Sequence, residues 1–321
     1  MKIVVSTPIQ STKFAYLIYI ILFILAVFQG IRYWTKNLRK ANQVLKEKEV
    51  AAKEIARQRE ELAIKNKNIT DSIRYAQKIQ EAMLPSTYFF KRLFPESFVI
   101  LKPKDIVSGD FYWVTEKAGK VFIVSADCTG HGVPGALMSI VGFEILDRII
   151  NDQEIFEPAE ILNILNKGVE ATFSRSDDDI TVKDGMDLGL CMIDKTERKL
   201  EFAGAFSSLY LIRDNKLTEI RGDRYSIGLN ANETGDPFTN HFLDIEEDDR
   251  MYLFTDGYAD QFGGPKGKKF MYRRFRHLLL TVHKVAMAEQ KRFLEETLDV
   301  WMGDLEQVDD IQVIGIQPMK R

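Results

Sequence analysis

The stretch SADCTGHGVPGALMS, residues Ser125 to Ser139, places an aspartate, a histidine and three glycines directly after the apolar run VFIVSA. Such a run reads as a buried strand, and Asp127 stands at its end. Glycine reaches backbone conformations closed to other residues, so the main chain can turn away sharply beside the carboxylate. The result is an acid held by rigid backbone yet open to a ligand.

The same texture recurs along the chain. ESFVILKP, DFYWVTEKAGKVFIVSAD, DLGLCMIDKTERKLEFAG, SLYLIRDNKLTEIRG, HFLDIEEDDRMYLFTD and DDIQVIGIQ are β-branched or aromatic runs broken by turn signals. Lys-Ala-Gly, Asp-Lys-Thr-Glu and Arg-Asp-Asn read as hairpin turns. After Pro85, helical periodicity appears in two pairs of segments, roughly Pro134–Ile150 with Pro158–Phe173 and Phe270–Lys284 with Ala288–Asp304. Hairpins with segregated helices predict an α+β layered sandwich.

Further acids stand where apolar strands meet glycines or turns: Asp110 in VSGDFYW, Asp256 in YLFTDGYAD, and Asp309 with Asp310 opening DDIQVIGI. Singly, such aspartates are turn residues. Converging, they repel one another and are costly to desolvate unless cations neutralise them. Together with Asp127 they predict an all-oxygen site for hard divalent ions such as Mg²⁺ or Mn²⁺.

The amino-terminal part is different in kind. FAYLIYIILFILAVFQGI, Phe14 to Ile31, is uncharged over 18 residues, enough to cross the hydrocarbon core. Arg32, Lys36, Arg39 and Lys40 follow it, so the positive-inside rule puts the remainder in the cytoplasm. Residues 1–13 would form a short extracytoplasmic stub, leaving the sensor to a partner, the membrane or a preceding segment. From Leu38 to Met83 there is no proline or glycine, and one heptad register fits. Its a positions are Leu38, Leu45, Ala52, Arg59, Asn66, Ile73 and Gln80; its d positions are Ala41, Lys48, Ile55, Leu62, Ile69, Ala76 and Met83. Arg59, Asn66 and Gln80 interrupt the seam, as polar residues that set register and dimer choice do. Residues 32–84 are therefore expected to form a dimeric coiled-coil helix, its heptad segment Leu38–Met83 about 69 Å long, ended by Pro85. Residues 85–321 form the remaining domain.

Composition narrows the alternatives. A formal net charge of −3 over 321 residues argues against a nucleic-acid binder. Cys128 and Cys191 have no disulfide framework or zinc spacing and read as buried, reduced thiols.

The ordered set SGDFYW, SADCTGHGVPGALMS, DGMDLGLCMID, FTDGYADQFGG and VDDIQVIGI resembles the PPM-type metal-dependent serine/threonine phosphatases, in their SpoIIE/RsbU-like bacterial branch. SIRYAQKIQEAMLPS resembles the helix leading into that domain. The resemblance implies an α-β-β-α sandwich and hydrolysis of phosphoserine or phosphothreonine by a water activated between two Mn²⁺ or Mg²⁺ ions. Asp127 would bridge the ions, the Cys128 carbonyl would add a ligand, Asp256 and Asp309 would hold one ion, and Asp110 the other. Asp310 and His131 are secondary candidates, His131 more as a turn or positioning residue than as a general acid. Lys104 and Arg148 are weaker candidates for phosphate contacts, and no substrate-binding residue is assigned. Ala203-Gly-Ala-Phe-Ser-Ser departs from the AGANNP of some relatives. The resemblance also implies a phosphorylated regulatory partner, of the STAS-domain anti-anti-sigma kind, and placement at the inner membrane. A diguanylate-cyclase-like output, which SGDFY superficially echoes, and a catalytically silent scaffold are the alternatives.

Overall fold

A computed structural model describes residues 13–173, 184–228 and 236–319; the expected amino-terminal stub lies outside all but the last of its residues. The chain divides into two units, one ending at Thr70 and the other running from Asp71.

The first unit is helical throughout. Helix α1 runs without interruption from Lys13 to Met83, so its last turns belong to the second unit. Its stretch after Lys13 is long and apolar enough to cross a membrane. Farther along, exposed pairs such as Lys53–Glu49 and Lys65–Glu61, at 2.7 and 2.8 Å, join successive turns. The helix stops at Met83 because Pro85 disfavours helical geometry at the residue before it.

The second unit is a sandwich. One sheet has the order β1 (Ser97–Lys102), β12 (Ile311–Ile316), β9 (Arg250–Phe254), β6 (Ser208–Arg213), β7 (Lys216–Arg221). The other has the order β2 (Phe111–Lys117), β3 (Lys120–Cys128), β4 (Met186–Asp194), β5 (Lys199–Ala205), β8 (His241–Asp244). All pairings between these strands are antiparallel. Strand alternation assigns side chains to three apolar layers. Phe122, Val124 and Ala126 of β3 pack under α3 (Gly132–Asp147) and α4 (Pro158–Phe173). Val121 and Ile123 point the other way, into the layer between the sheets, with Ile314 and Ile316. Ile311 and Val313 pack with Phe275 and Leu279 of α6 (Tyr272–Val282) and Leu294 and Leu298 of α7 (Met287–Met302). The α-β-β-α order is thus written in the alternation of each strand.

The hairpin turns fall where the turn residues predict. Ala118 and Gly119 have φ of 52° and 77°, and Asp214 and Asn215 have 49° and 62°; two positive φ values match the twist of the flanking strands. Three local features differ from the sequence reading. Pro85 is followed by a short helix, α2 (Thr87–Leu93), capped by Ser86, whose Oγ accepts from Phe89 N at 3.1 Å. The helix expected over Pro134–Ile150 begins at Gly132 and passes into a π-helical turn, Arg148–Asp152, which keeps both Ile149 and Ile150 buried. A small hairpin, β10 (Phe262–Gly263) and β11 (Lys268–Lys269), follows the helical turn α5 (Gly257–Asp260). Gly263 and Gly264 of that hairpin lie against Trp301 so closely that added Cβ atoms would collide with it, at 1.9 and 2.5 Å.

Candidate active site

Three carboxylates stand in one row across the second sheet. Asp127 is the direct partner of Asp187 in the β3–β4 register. Asp110 lies one step beyond the β2–β3 pair Phe111–Ala126, and so comes level with Asp127. Partners across an antiparallel ladder share a face, here the one that Val121 and Ile123 turn toward the opposite sheet. From that sheet, Asp256 follows β9 and Asp309 precedes β12, two strands that pair with each other.

Hydrogen bonds fix the surroundings. Thr255 Oγ1 donates to Asp110 Oδ2 at 2.6 Å and accepts from Gln312 N at 3.0 Å. Gln312 Nε2 donates to Ser125 Oγ at 2.6 Å, tying β12 to β3. Ser226 Oγ donates to Asp187 Oδ1 at 2.5 Å. The glycines allow close backbone approach, since a Cβ on Gly109 would lie 2.7 Å from the Gly130 carbonyl and 3.2 Å from that of Cys128. One on Gly257 would lie 1.9 Å from the Asp310 carbonyl.

The electrostatics are those of crowded, buried acids. Burial, then the charge of Asp127, pushes the Asp110 carboxyl far above the usual range. Asp127 is pushed up to about 8 by burial and by Asp256, Asp309 and Asp187. Asp256 is pushed up to about 6, again by burial first and then Asp309. Asp187 also rises, chiefly through burial. Among the described residues, no three His, Cys, Asp or Glu side chains stand close enough to enclose one ion as they are. Asp127, Asp187 and Asp256 instead line a shared cavity. An anionic, all-oxygen donor set of this kind suits hard divalent cations, which would remove the repulsion.

The secondary candidates have other tasks. Asp310 is buried, and its two oxygens accept from Lys104 N and Gly109 N, both at 2.7 Å, so its side chain pins the loop that leads to Asp110. His131 precedes α3 with its ring half exposed; Nδ1 lies 2.6 Å from Asp105 Oδ2 and Nε2 2.9 Å from Lys104 Nζ. The Lys104 side chain is thereby engaged with His131. Arg148 is exposed at the far end of α3, about 24 Å along the helix from its start. The Cys128 thiol is buried and pushed well up, so it is no nucleophile.

Two groups lay outside the sequence reading. Asp187 sits inside DGMDLGLCMID, and strand pairing rather than any local signal brings it beside Asp127. Gln80, assigned to the coiled-coil seam, is instead buried in the second unit. Its Nε2 donates to the Ser108 carbonyl at 2.6 Å and to Ser139 Oγ at 2.9 Å, and its Oε1 accepts from Ser108 N at 3.1 Å.

This sandwich, with acids converging from both sheets, is the fold of the PP2C-type phosphatases. The family model for stage II sporulation protein E (SpoIIE) matches residues 117–318, and the chain belongs to that family, with a serine/threonine phosphatase domain. Among solved structures, the SiaA-PP2C domain of Pseudomonas aeruginosa is similar at 34% identity and a TM-score of 0.70, over 78% of this chain and 98% of that one. The PP2C domain of SpoIIE from Bacillus subtilis, with a fragment of its regulatory domain, shares the fold at 18% identity and a TM-score of 0.56, over 69% of this chain and 62% of that one. The RsbU and RsbW domains of a Mycobacterium tuberculosis protein share it at 15% identity and a TM-score of 0.53, over 70% and 60%. No curated protein sequence matches the chain.

Proposed function

We propose that the chain is a membrane-anchored phosphoprotein phosphatase that hydrolyses phosphoserine or phosphothreonine on a regulatory protein. The observation that carries this reading is the meeting of Asp110, Asp127 and Asp187 from one sheet with Asp256 and Asp309 from the other. Burial raises Asp110, Asp127, Asp187 and Asp256, and repulsion from neighbouring carboxylates adds to it at Asp110, Asp127 and Asp256, which makes the set a poor site when empty of cations and a good one when filled. Asp127, central to the row, would be shared between two cations, with Asp256 and Asp309 helping to hold one and Asp110 the other. When bound, Mn²⁺ or Mg²⁺ would supply Lewis-acid charge and a water of lowered pKa for attack on phosphorus. The chain's own residues orient this chemistry: Thr255 aims Asp110, Ser226 aims Asp187, and Asp310 holds the loop before Asp110. His131, oriented by Asp105, would act as a positioning residue at the start of α3.

The remaining parts of the proposal rest on the helix. Its apolar stretch would anchor the protein by a single span with the phosphatase on the cytoplasmic side, and its heptads would pair two copies. The partner would be a phosphorylated switch protein of the STAS type, in line with the RsbU likeness. The test is phosphate release by the whole 321-residue chain in detergent, with and without Mn²⁺, from a phosphoserine peptide and an aryl phosphate, beside Asp127→Asn. Metal-dependent release absent from the variant is expected. A wild-type protein that binds Mn²⁺ without any turnover would refute the catalytic reading.

A further inference from the structure

A cavity of about 230 Å³ opens beside Asp127. Asp127, Asp187 and Asp256 line one side of it, and the charges acting on Asp127 and Asp256 are chiefly those of neighbouring carboxylates. Arg276, from α6, lines the other side with Glu219 and Tyr210; its guanidinium carbon lies 5.8 Å from the Tyr210 ring centre. Tyr272 lines the cavity as well, with its ring centre 6.2 Å from that of Phe254.

Arg276 is the single arginine or lysine among the lining residues. Its Nε is buried without a hydrogen-bond partner among the described residues. Its Nη1 is 3.9 Å from Glu219 Oε2, an oxygen that Arg221 Nη2 approaches to 3.2 Å. Arg276 therefore keeps donors in hand, and a guanidinium fork is shaped for a planar carboxylate or a phosphate. The rim of the cavity is Phe206, 56% exposed and held at φ 50°. Its N–H donates to the Asp223 carbonyl at 2.8 Å, and the carbonyl of the next residue, Ser207, accepts from Gly222 N at 3.1 Å. A left-handed phenylalanine with its ring in water is disfavoured twice over, and such strain gathers at ligand clamps.

We propose that the Arg276 side of this cavity seats the substrate residue flanking the phosphorylated one, and that Arg276 selects an acidic side chain there. The inference rests on the phosphatase reading above. The phosphoryl group belongs at the carboxylate side with its cations, so an anion that reaches Arg276 comes from a neighbouring residue. A carboxylate supplies the missing acceptors of the fork, and Phe206 covers the aliphatic part of the same segment.

The test uses the whole chain in detergent with Mn²⁺, and phosphoserine peptides carrying one aspartate at each flanking position in turn, against their alanine versions. The wild type is expected to show a KM on the order of tenfold lower for aspartate at one position, the worth of a charge-assisted hydrogen bond. Arg276→Gln should abolish that preference, raising KM for the aspartate peptide to that of its alanine version, and Arg276→Lys should restore part of it. Binding of a non-hydrolysable phosphonate peptide, followed by fluorescence anisotropy, should track KM and needs no turnover. An equal loss by Arg276→Gln on aryl phosphate and every peptide would overturn the proposal, because Arg276 would then serve the phosphoryl group or the fold. Absence of any acid preference in the wild type would overturn it as well. Failure of the phosphatase reading looks different: no aryl phosphate turnover by the wild type at all.

Discussion

Asp127 and Asp187 face each other across the β3–β4 ladder, two carboxylates on one rung. Like charges directly opposite destabilise a sheet, so the pair is kept against the interest of the empty fold. Asp187→Asn should relieve that repulsion while still offering Ser226 an acceptor. The expected outcome is a higher melting temperature in chelator at pH 8 and an Mn²⁺ affinity weakened by about tenfold or more, by analogy with altered groups around metal ligands. Calorimetric Mn²⁺ titration and thermal melts measure the two halves separately.

Stability without cations should depend on pH with a definite sign. An unfolded aspartate titrates near 3.9, whereas folded Asp256 and Asp127 titrate at about 6 and about 8. Between these limits the folded state holds more protons than the unfolded one, so stability falls as pH rises. In chelator the protein should melt higher at pH 5 than at pH 8, and Mn²⁺ at pH 8 should reverse the loss. A flat or rising profile in chelator would mean that the carboxylates are not crowded as described.

Gln80→Leu keeps the volume but removes three hydrogen bonds to Ser108 and Ser139. Leaving the Ser108 amide and carbonyl unpaired in a buried place should cost about 1–3 kcal/mol, read from urea unfolding. Because Ser108 lies two residues before Asp110, kcat should fall further than stability alone explains.

Gly257→Ala would put a methyl 1.9 Å from the Asp310 carbonyl, a backbone atom with little room to retreat. The collision lies between the residues that follow Asp256 and Asp309. Overpacking of this kind costs about 1–3 kcal/mol, and the expected result is a lower melting temperature together with weaker Mn²⁺ binding.

The layering and most of the site were legible because they depend on short patterns. Alternation in VFIVSA and IQVIGI assigns faces, and an acid closing an apolar run marks a strand end whatever the pairing. Asp187 was hidden, because its place beside Asp127 depends on a register between strands separated by about 60 residues, with two helices between them. Gln80 was misassigned for a related reason. A heptad stripe shows only that a helix has one apolar face, and Ile73, Ala76, Gln80 and Met83 turn out to share a less exposed face, from which Gln80 reaches Ser108 and, in α3, Ser139, whereas Arg74, Tyr75 and Ile79 are exposed. Arg276 carries no local signal at all; only folding brings α6 beside the ends of β6 and β7.

Since the acids are divided between two sheets that otherwise touch chiefly through apolar side chains, a cation held by acids from both sheets would act as a rivet through the sandwich. Opening that end would then require releasing the ion. Amides at the carboxylate ends of β3, β4, β9 and β12 should therefore exchange with solvent as one cooperative block in its presence, and sheet by sheet in its absence.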